Sequence, residues 1–350
     1  MSTVRNALSL LPVCATTGIG SLPHTQLELG LQMALQLDLP YLPQLPQGEP
    51  RELMIPSVLD GLPGLSVDAE GQCLVELEAW RAGRDAFHAR LEAALTTSEL
   101  AGFEPGPLAC RAWQPFLFEI ETRKLPFAKV QLAGPATARW VTRTSDGRPA
   151  SDLTDLDQQL FRLVMAKALA MVRAVRRAGA TPVIFLDEPG LYALDPGRVQ
   201  HLVVLKELSL LVRSLQREGA LVGLHCCGNT RWPSVLALGL DVLSLDARLS
   251  LDAALEDRAA WLAFVASGAT LSLGIVPTDL ASSYRLEELC DSVEASLRAT
   301  APPGVPFEAL LSRMWLTPAC GLGMRTVPDA ERLMGELKEA QRRLKAVVGA

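Results

Sequence analysis

The side chains best suited to chemistry lie in a run reading Leu224-His225-Cys226-Cys227-Gly228-Asn229-Thr230. Side chains alternate faces along an extended strand, so His225 and Cys227 point one way and Cys226 points the other. An imidazole and a thiolate on one face make half of a zinc site. Two further ligand types stand just past apolar runs. Asp246 closes Asp241-Val-Leu-Ser-Leu-Asp246, and Cys320 lies in Leu316-Thr-Pro-Ala-Cys320-Gly-Leu-Gly. With His225 and Cys227 they would complete a tetrahedral set. The plainer reading of the same run is a buried histidine with two core cysteines.

Two other segments could bind a substrate. In Thr17-Gly-Ile-Gly-Ser21-Leu-Pro-His24 the glycines allow backbone N–H groups to approach a ligand, and Ser21 adds a hydroxyl. That suits a carboxylate or a phosphate; the bland alternative is a tight turn, with His24 structural. In Phe185-Leu-Asp187-Glu188-Pro189 two carboxylates end an apolar strand. They are costly to bury without partners and point to opposite faces. One can face a site, with an amine, a cation or a metal as partner, while the other makes a structural contact such as a helix cap.

These pieces need a frame that gathers strand ends. Short apolar runs at 13–18, 128–132, 182–186, 221–225, 242–245, 270–274 and 314–317 alternate with amphipathic stretches at 153–178, 198–218, 253–266, 286–299 and 328–348. Several of these end at a glycine, the ordinary helix stop. Repeated βα units predict one domain spanning 1–350, a TIM-type (β/α)8 barrel, with a doubly wound sheet as the rival. Glycines at 64 and 71 among alternating residues predict a β-hairpin excursion near residues 61–78. In a barrel, chemistry sits at the C-terminal ends of the strands, where all the segments above belong.

Composition narrows the classes. A chain with 49% hydrophobic and 21% charged residues is globular rather than disordered. A net charge of −6 without a dense basic block argues against nucleic-acid binding. No run approaches about 18 apolar residues, so no membrane span is expected. Residues 5–14 faintly resemble a leader ending at Cys14, but the apolar run is short and a first strand explains it better. Seven cysteines spread along the chain do not read as a disulfide framework, and a reduced, cytoplasmic setting is the default. Cys14, Cys73, Cys110 and Cys290 read as buried bystanders, and His88 and His201 as surface residues.

Taken in order, Thr17-Gly-Ile-Gly-Ser21-Leu-Pro, Leu132-Ala-Gly-Pro135-Ala-Thr137, Leu186-Asp-Glu-Pro189, the His225–Cys227 pair, Asp241 to Asp246 and Pro318-Ala-Cys320-Gly-Leu resemble the catalytic C-terminal barrel of cobalamin-independent methionine synthase. The superfamily also holds uroporphyrinogen decarboxylase and the methylcobamide:coenzyme M methyltransferases. The resemblance implies a zinc ion held by His225, Cys227, Asp246 and Cys320, with Asp246 one methylene shorter than the family's glutamate. It implies homocysteine, or another small thiol, held by Ile19, Gly20 and Ser21 at its carboxylate and by Asp187 at its amino group. Glu49, in Gly48-Glu49-Pro50-Arg51, resembles a further substrate residue. The implied activity is thiol S-methylation.

Zinc and a thiol belong together physically. A free thiol has a pKa of about 8.5 and is mostly protonated at neutral pH, whereas metal coordination deprotonates it. Sulfur-rich ligation lowers the effective charge of the metal and leaves a bound sulfur nucleophilic. Two departures bear on the methyl donor. The family's proton-donating histidine after the seventh strand is replaced by Gly274-Ile-Val-Pro277-Thr-Asp279, and the His-x-Cys-Gly-Asn pattern is similar to that of the corrinoid-using methyltransferases. Transfer from a folate amine needs a general acid; transfer from cobalt does not. The sequence therefore favours a methylated corrinoid protein or methylcobalamin over 5-methyltetrahydrofolate, with Asp279 as the acid available to a folate route. The competing readings are a decarboxylase like the porphyrinogen enzyme, and a non-catalytic barrel that binds zinc or a corrinoid protein.

Overall fold

The computed structural model describes residues 10–279 and 283–349. The first part of the leader-like stretch, residues 5–9, lies outside the described residues. Nine described strands form two sheets. The smaller holds β1 (Leu65–Val67), β2 (Cys73–Val75) and β4 (Arg143–Thr144). β1 and β2 pair antiparallel from Leu65↔Val75 to Val67↔Cys73, which is the hairpin expected near 61–78, and β4 joins β2 in parallel. The larger sheet is wholly parallel. It holds β3 (Phe127–Ala133), β5 (Thr181–Asp187), β6 (Leu221–Cys226), β7 (Val242–Asp246), β8 (Thr270–Val276) and β9 (Trp315–Pro318), side by side in that order.

These strands read as continuous apolar runs because helices cover their outer face and the sheet's own curl encloses the inner one. Every residue of β3, β6, β7, β8 and β9 is buried. The long helices Thr154–Arg177 and Val199–Arg217 bury one stripe each and are followed by Gly179 (φ +100°) and Gly219 (φ +85°). That left-handed conformation turns the chain into the next strand two residues later.

The edges of the large sheet are joined by two irregular segments. Leu316 N donates to Ala15 O (2.9 Å) and Thr17 N to Leu316 O (3.0 Å). Leu39 N donates to Thr16 O (3.0 Å), Lys129 N to Pro40 O (2.8 Å) and Leu42 N to Lys129 O (2.9 Å). The expected strand at 13–18 is thus reduced to a bridge at Thr16. Residue 14 has φ +51°, which ends regular extension before Thr16. The expected helix at 253–266 is two, Ala247–Glu256 and Arg258–Ala266, broken where the Asp257 carboxylate turns to accept from Ala260 N. Helices Leu27–Leu35, Met54–Leu59, Leu77–Thr97 and Trp113–Arg123 went unforeseen. Among the described residues no helix is long and apolar enough to cross a membrane.

Inside the curl the side chains form layers. An apolar floor joins Ala15, Leu39, Phe127, Val183, Phe185, Leu221, Val242 and Trp315. Gly223 leaves room there for the Phe185 ring, which would lie 2.4 Å from an added Cβ. Above the floor runs a polar row. Register partners in parallel strands share a face, and Asp187↔His225, His225↔Ser244 and Ser244↔Ser272 follow one another across four strands. The described free cysteines include Cys14, Cys110 and Cys290 in the buried core, while Cys73, in β2, is only partly buried. His88 is exposed, and His201 is partly buried against Trp140 (4.6 Å between ring centroids).

Candidate metal and substrate site

β6 delivers His225 to the inner face, and the chain just beyond it delivers Cys227. Cys226 points outward into the core, its thiol pushed up to about 12 by burial. Cys320 arrives from the far end of the chain. Ala319 N donates to Val276 O (2.8 Å), and Gly274 lets this crossing happen, since a Cβ there would come 2.6 Å from Ala319 Cα. The result is a group in which one ligand atom each from His225, Cys227 and Cys320 lies within 4.8 Å of the others. Donors on a shared tetrahedral zinc stand about 3.3–3.8 Å apart, given metal–ligand lengths of about 2.0–2.3 Å, so shifts of about 1 Å would bring this set onto one ion.

Two further observations support the fit. His225 is 4% exposed and its Nε2 has no hydrogen-bond partner, whereas Nδ1 lies 3.0 Å from Ser244 Oγ. When Nδ1–H donates to Ser244, Nε2 presents its lone pair inward, the tautomer a metal ligand needs. An orphaned buried nitrogen otherwise costs about 1–3 kcal/mol. The two thiols also interact directly: hydrogen bonding between them lowers the pKa of Cys227 and pushes Cys320 up to about 12.

Asp246 lies outside this group. Its Oδ1 accepts from Arg248 N (2.8 Å) and Leu249 N (3.0 Å), capping helix Ala247–Glu256. Burial raises its pKa against those bonds. Arg248 then donates to both oxygens of Asp279 at 2.8 Å, so Asp279 is held as an acceptor.

The paired carboxylates separate as alternation requires. Asp187 faces inward, 8% exposed, with Oδ1 unpartnered. Burial pushes its pKa up to about 6, opposed by His225 and the Lys129 ammonium. Glu188 faces outward and is fully buried. It accepts from Ala136 N (2.9 Å), Thr137 N (2.7 Å) and Thr137 Oγ1 (2.6 Å), capping helix Pro135–Val141 from outside. Gly134 must lack a Cβ, which would meet Glu188 Oε1 at 2.2 Å.

The 19–21 segment sits on this inner surface. Ile19 O accepts from Lys129 Nζ (2.7 Å), and a Cβ on Gly20 would come 3.0 Å from the Gln131 amide. Ser21 Oγ accepts from Gly323 N (3.2 Å), and a Cβ on Gly321 would come 2.3 Å from that oxygen. The segment is therefore packed against the loop that carries Cys320. Glu49 is partly buried and caps the turn Pro50–Glu52 by accepting from Arg51 N (3.1 Å). Next to it is a pair the sequence did not reveal: buried Glu52 accepts from Arg111 Nε (2.6 Å) and from Leu45 N (2.6 Å). Lys129, Gln131 and Ser244 were likewise missed. The available signal was polar residues at i, i+2 spacing inside strands otherwise apolar on both faces.

A parallel, curled sheet with helices outside places the chain in the TIM-like class, and its His–Cys–Cys cluster at the strand ends could hold a metal ion. Residues 127–342 match the family model described as cobalamin-independent synthase, catalytic domain, and the chain belongs to that family. No curated relative matches the chain. The family, methionine synthase-like and methyltransferase-like in kind, lends no support to the corrinoid partner expected from the sequence, because its description is independence of cobalamin.

Proposed function

We propose that the protein is a zinc-dependent S-methyltransferase whose acceptor is homocysteine or a closely related small thiol. The observation that carries this reading is the convergence of His225, with its orphaned Nε2, and the Cys227 and Cys320 thiols at the mouth of the parallel sheet. We read segments 15–17 and 39–42 as the first two staves of a single (β/α)8 barrel, which makes that mouth the C-terminal face. His225, Cys227 and Cys320 would hold the ion, with the Asp246 cap as the fourth candidate ligand. When bound, zinc supplies the positive charge that keeps an incoming thiol deprotonated at neutral pH.

The remaining residues bind and orient. Asp187 Oδ1 accepts from the substrate ammonium, the partner it otherwise lacks. Backbone N–H groups of the 19–21 segment and the Ser21 hydroxyl hold the carboxylate, and Glu49 borders the same loop. Thiolate attack then forms the new S–CH3 bond as the bond between the methyl group and its carrier breaks. A folate amine would need a proton as it leaves. Asp279 is the acidic residue after β8 that could give it, but only after its Arg248 contact breaks. The missing histidine favours a corrinoid donor, whereas the family favours one without cobalamin.

The test is metal content combined with turnover. The zinc-loaded protein, given homocysteine with 5-methyltetrahydrofolate or methylcobalamin in parallel, should form methionine with one donor and lose the activity on chelation. A metal-replete protein that methylates homocysteine with neither donor refutes the reading.

A further inference from the structure

We propose that Lys129 is a positioning residue whose charge makes the pocket select thiols that bear a carboxylate; this rests on reading the site as a pocket for a thiol amino acid. Lys129 is 1% exposed and stands on the inner face of β3. A lysine there is expensive, because an ammonium loses its hydration on burial. Packing alone would be better served by an apolar side chain. What it does hold is specific. Nζ donates to Ile19 O (2.7 Å) and to Gln131 Oε1 (3.2 Å) and lies 4.7 Å from the centroid of the Phe185 ring. Gln131 Nε2 in turn donates to Leu42 O (2.7 Å).

The substrate loop is seated on this pair. A Cβ on Gly18 would strike the Tyr41 ring at 2.3 Å, and one on Gly20 would reach Gln131 at 3.0 Å. Fixing the Ile19 carbonyl inward fixes the adjoining peptide planes, so the N–H groups that follow keep their direction. The positive charge beneath them adds attraction for an anion and none for a cation. Lys129 thus acts on the carboxylate end of the substrate and Asp187 on the amino end.

Zinc-loaded wild-type and K129M proteins are titrated calorimetrically with homocysteine, 4-mercaptobutyrate (no amino group) and 3-mercaptopropylamine (no carboxylate). Methionine is unbranched like lysine, one atom shorter, and leaves an apolar side chain beside Phe185. K129M should retain wild-type zinc content, bind homocysteine and 4-mercaptobutyrate at least about 10-fold more weakly, and bind 3-mercaptopropylamine as well as or better than wild type. Should K129M fail to fold, K129Q, which keeps an N–H for Ile19 O without the charge, should show the same loss of preference. Equal weakening for all three thiols marks a merely structural residue and overturns the assignment, as does an unchanged preference. A wild-type protein that binds zinc but none of the thiols overturns the pocket reading and Lys129's role together.

Discussion

Replacing Cys320 with serine tests the metal site most directly. Structural zinc sites with four ligands bind with about 10–16 kcal/mol, or about 2.5–4 kcal/mol per ligand. Losing one of the three clustered ligands should weaken zinc binding by about 10²–10³-fold. The fold should survive, because Cys320 is only partly buried in a loop held by Ala319 N and by the glycines packed on Ser21. Zinc affinity is measured by competition with a chromophoric chelator, stoichiometry by elemental analysis, and folding by circular dichroism. The control is C226S, whose thiol sits one residue from the site but points into the core. It should keep its zinc and lose about 1 kcal/mol of stability. C320S holding zinc within about threefold of wild type, or C226S losing it equally, would refute the convergence of ligands on one ion.

Three other expectations follow from the same structure. S244A removes the acceptor that orients His225 and should weaken zinc binding about 10–100-fold with little change in stability; an unchanged affinity in the chelator competition would show that Ser244 does not steer the ring. E188A strands the buried N–H groups of Ala136 and Thr137 and should cost about 3 kcal/mol in urea unfolding, a loss below about 1 kcal/mol counting against the capping role. Lys167 is buried near Asp60, and desolvation pushes its pKa down to about 8. The unfolded chain, with a lysine pKa of about 10.4, binds a proton there that the folded chain lacks, so this lysine's contribution rises with pH between those values. The stability of wild type relative to K167M should therefore grow by up to about 3 kcal/mol from pH 8 to pH 10.5; a flat difference would contradict it.

The large sheet was legible because parallel strands buried on both faces read as apolar runs; β3, β5, β6, β7, β8 and β9 fall where such runs stand. The N-terminal third was not. Residues 39–46 contain prolines at 40, 43 and 46, which withhold ladder donors, and the helices before residue 124 have weaker apolar periodicity. In the site, alternation alone separated Asp187 from Glu188 and Cys227 from Cys226. Cys320 was found because it follows a strand. Asp246 carries two signals at once: an aspartate between a strand and a helix is also an N-cap signal, and here its carboxylate makes the cap. The Glu52–Arg111 pair joins residues with no local pattern, so only the folded chain displays it.

The bonds joining Ala15 and Thr17 to Leu316 also set an order of assembly. The segment around Thr16 is made before β9 and must wait for that strand before its second edge is covered. Until then β8 and the 15–17 segment present open edges that can recruit another chain. The order of synthesis therefore leaves those edges uncovered until β9 has been made.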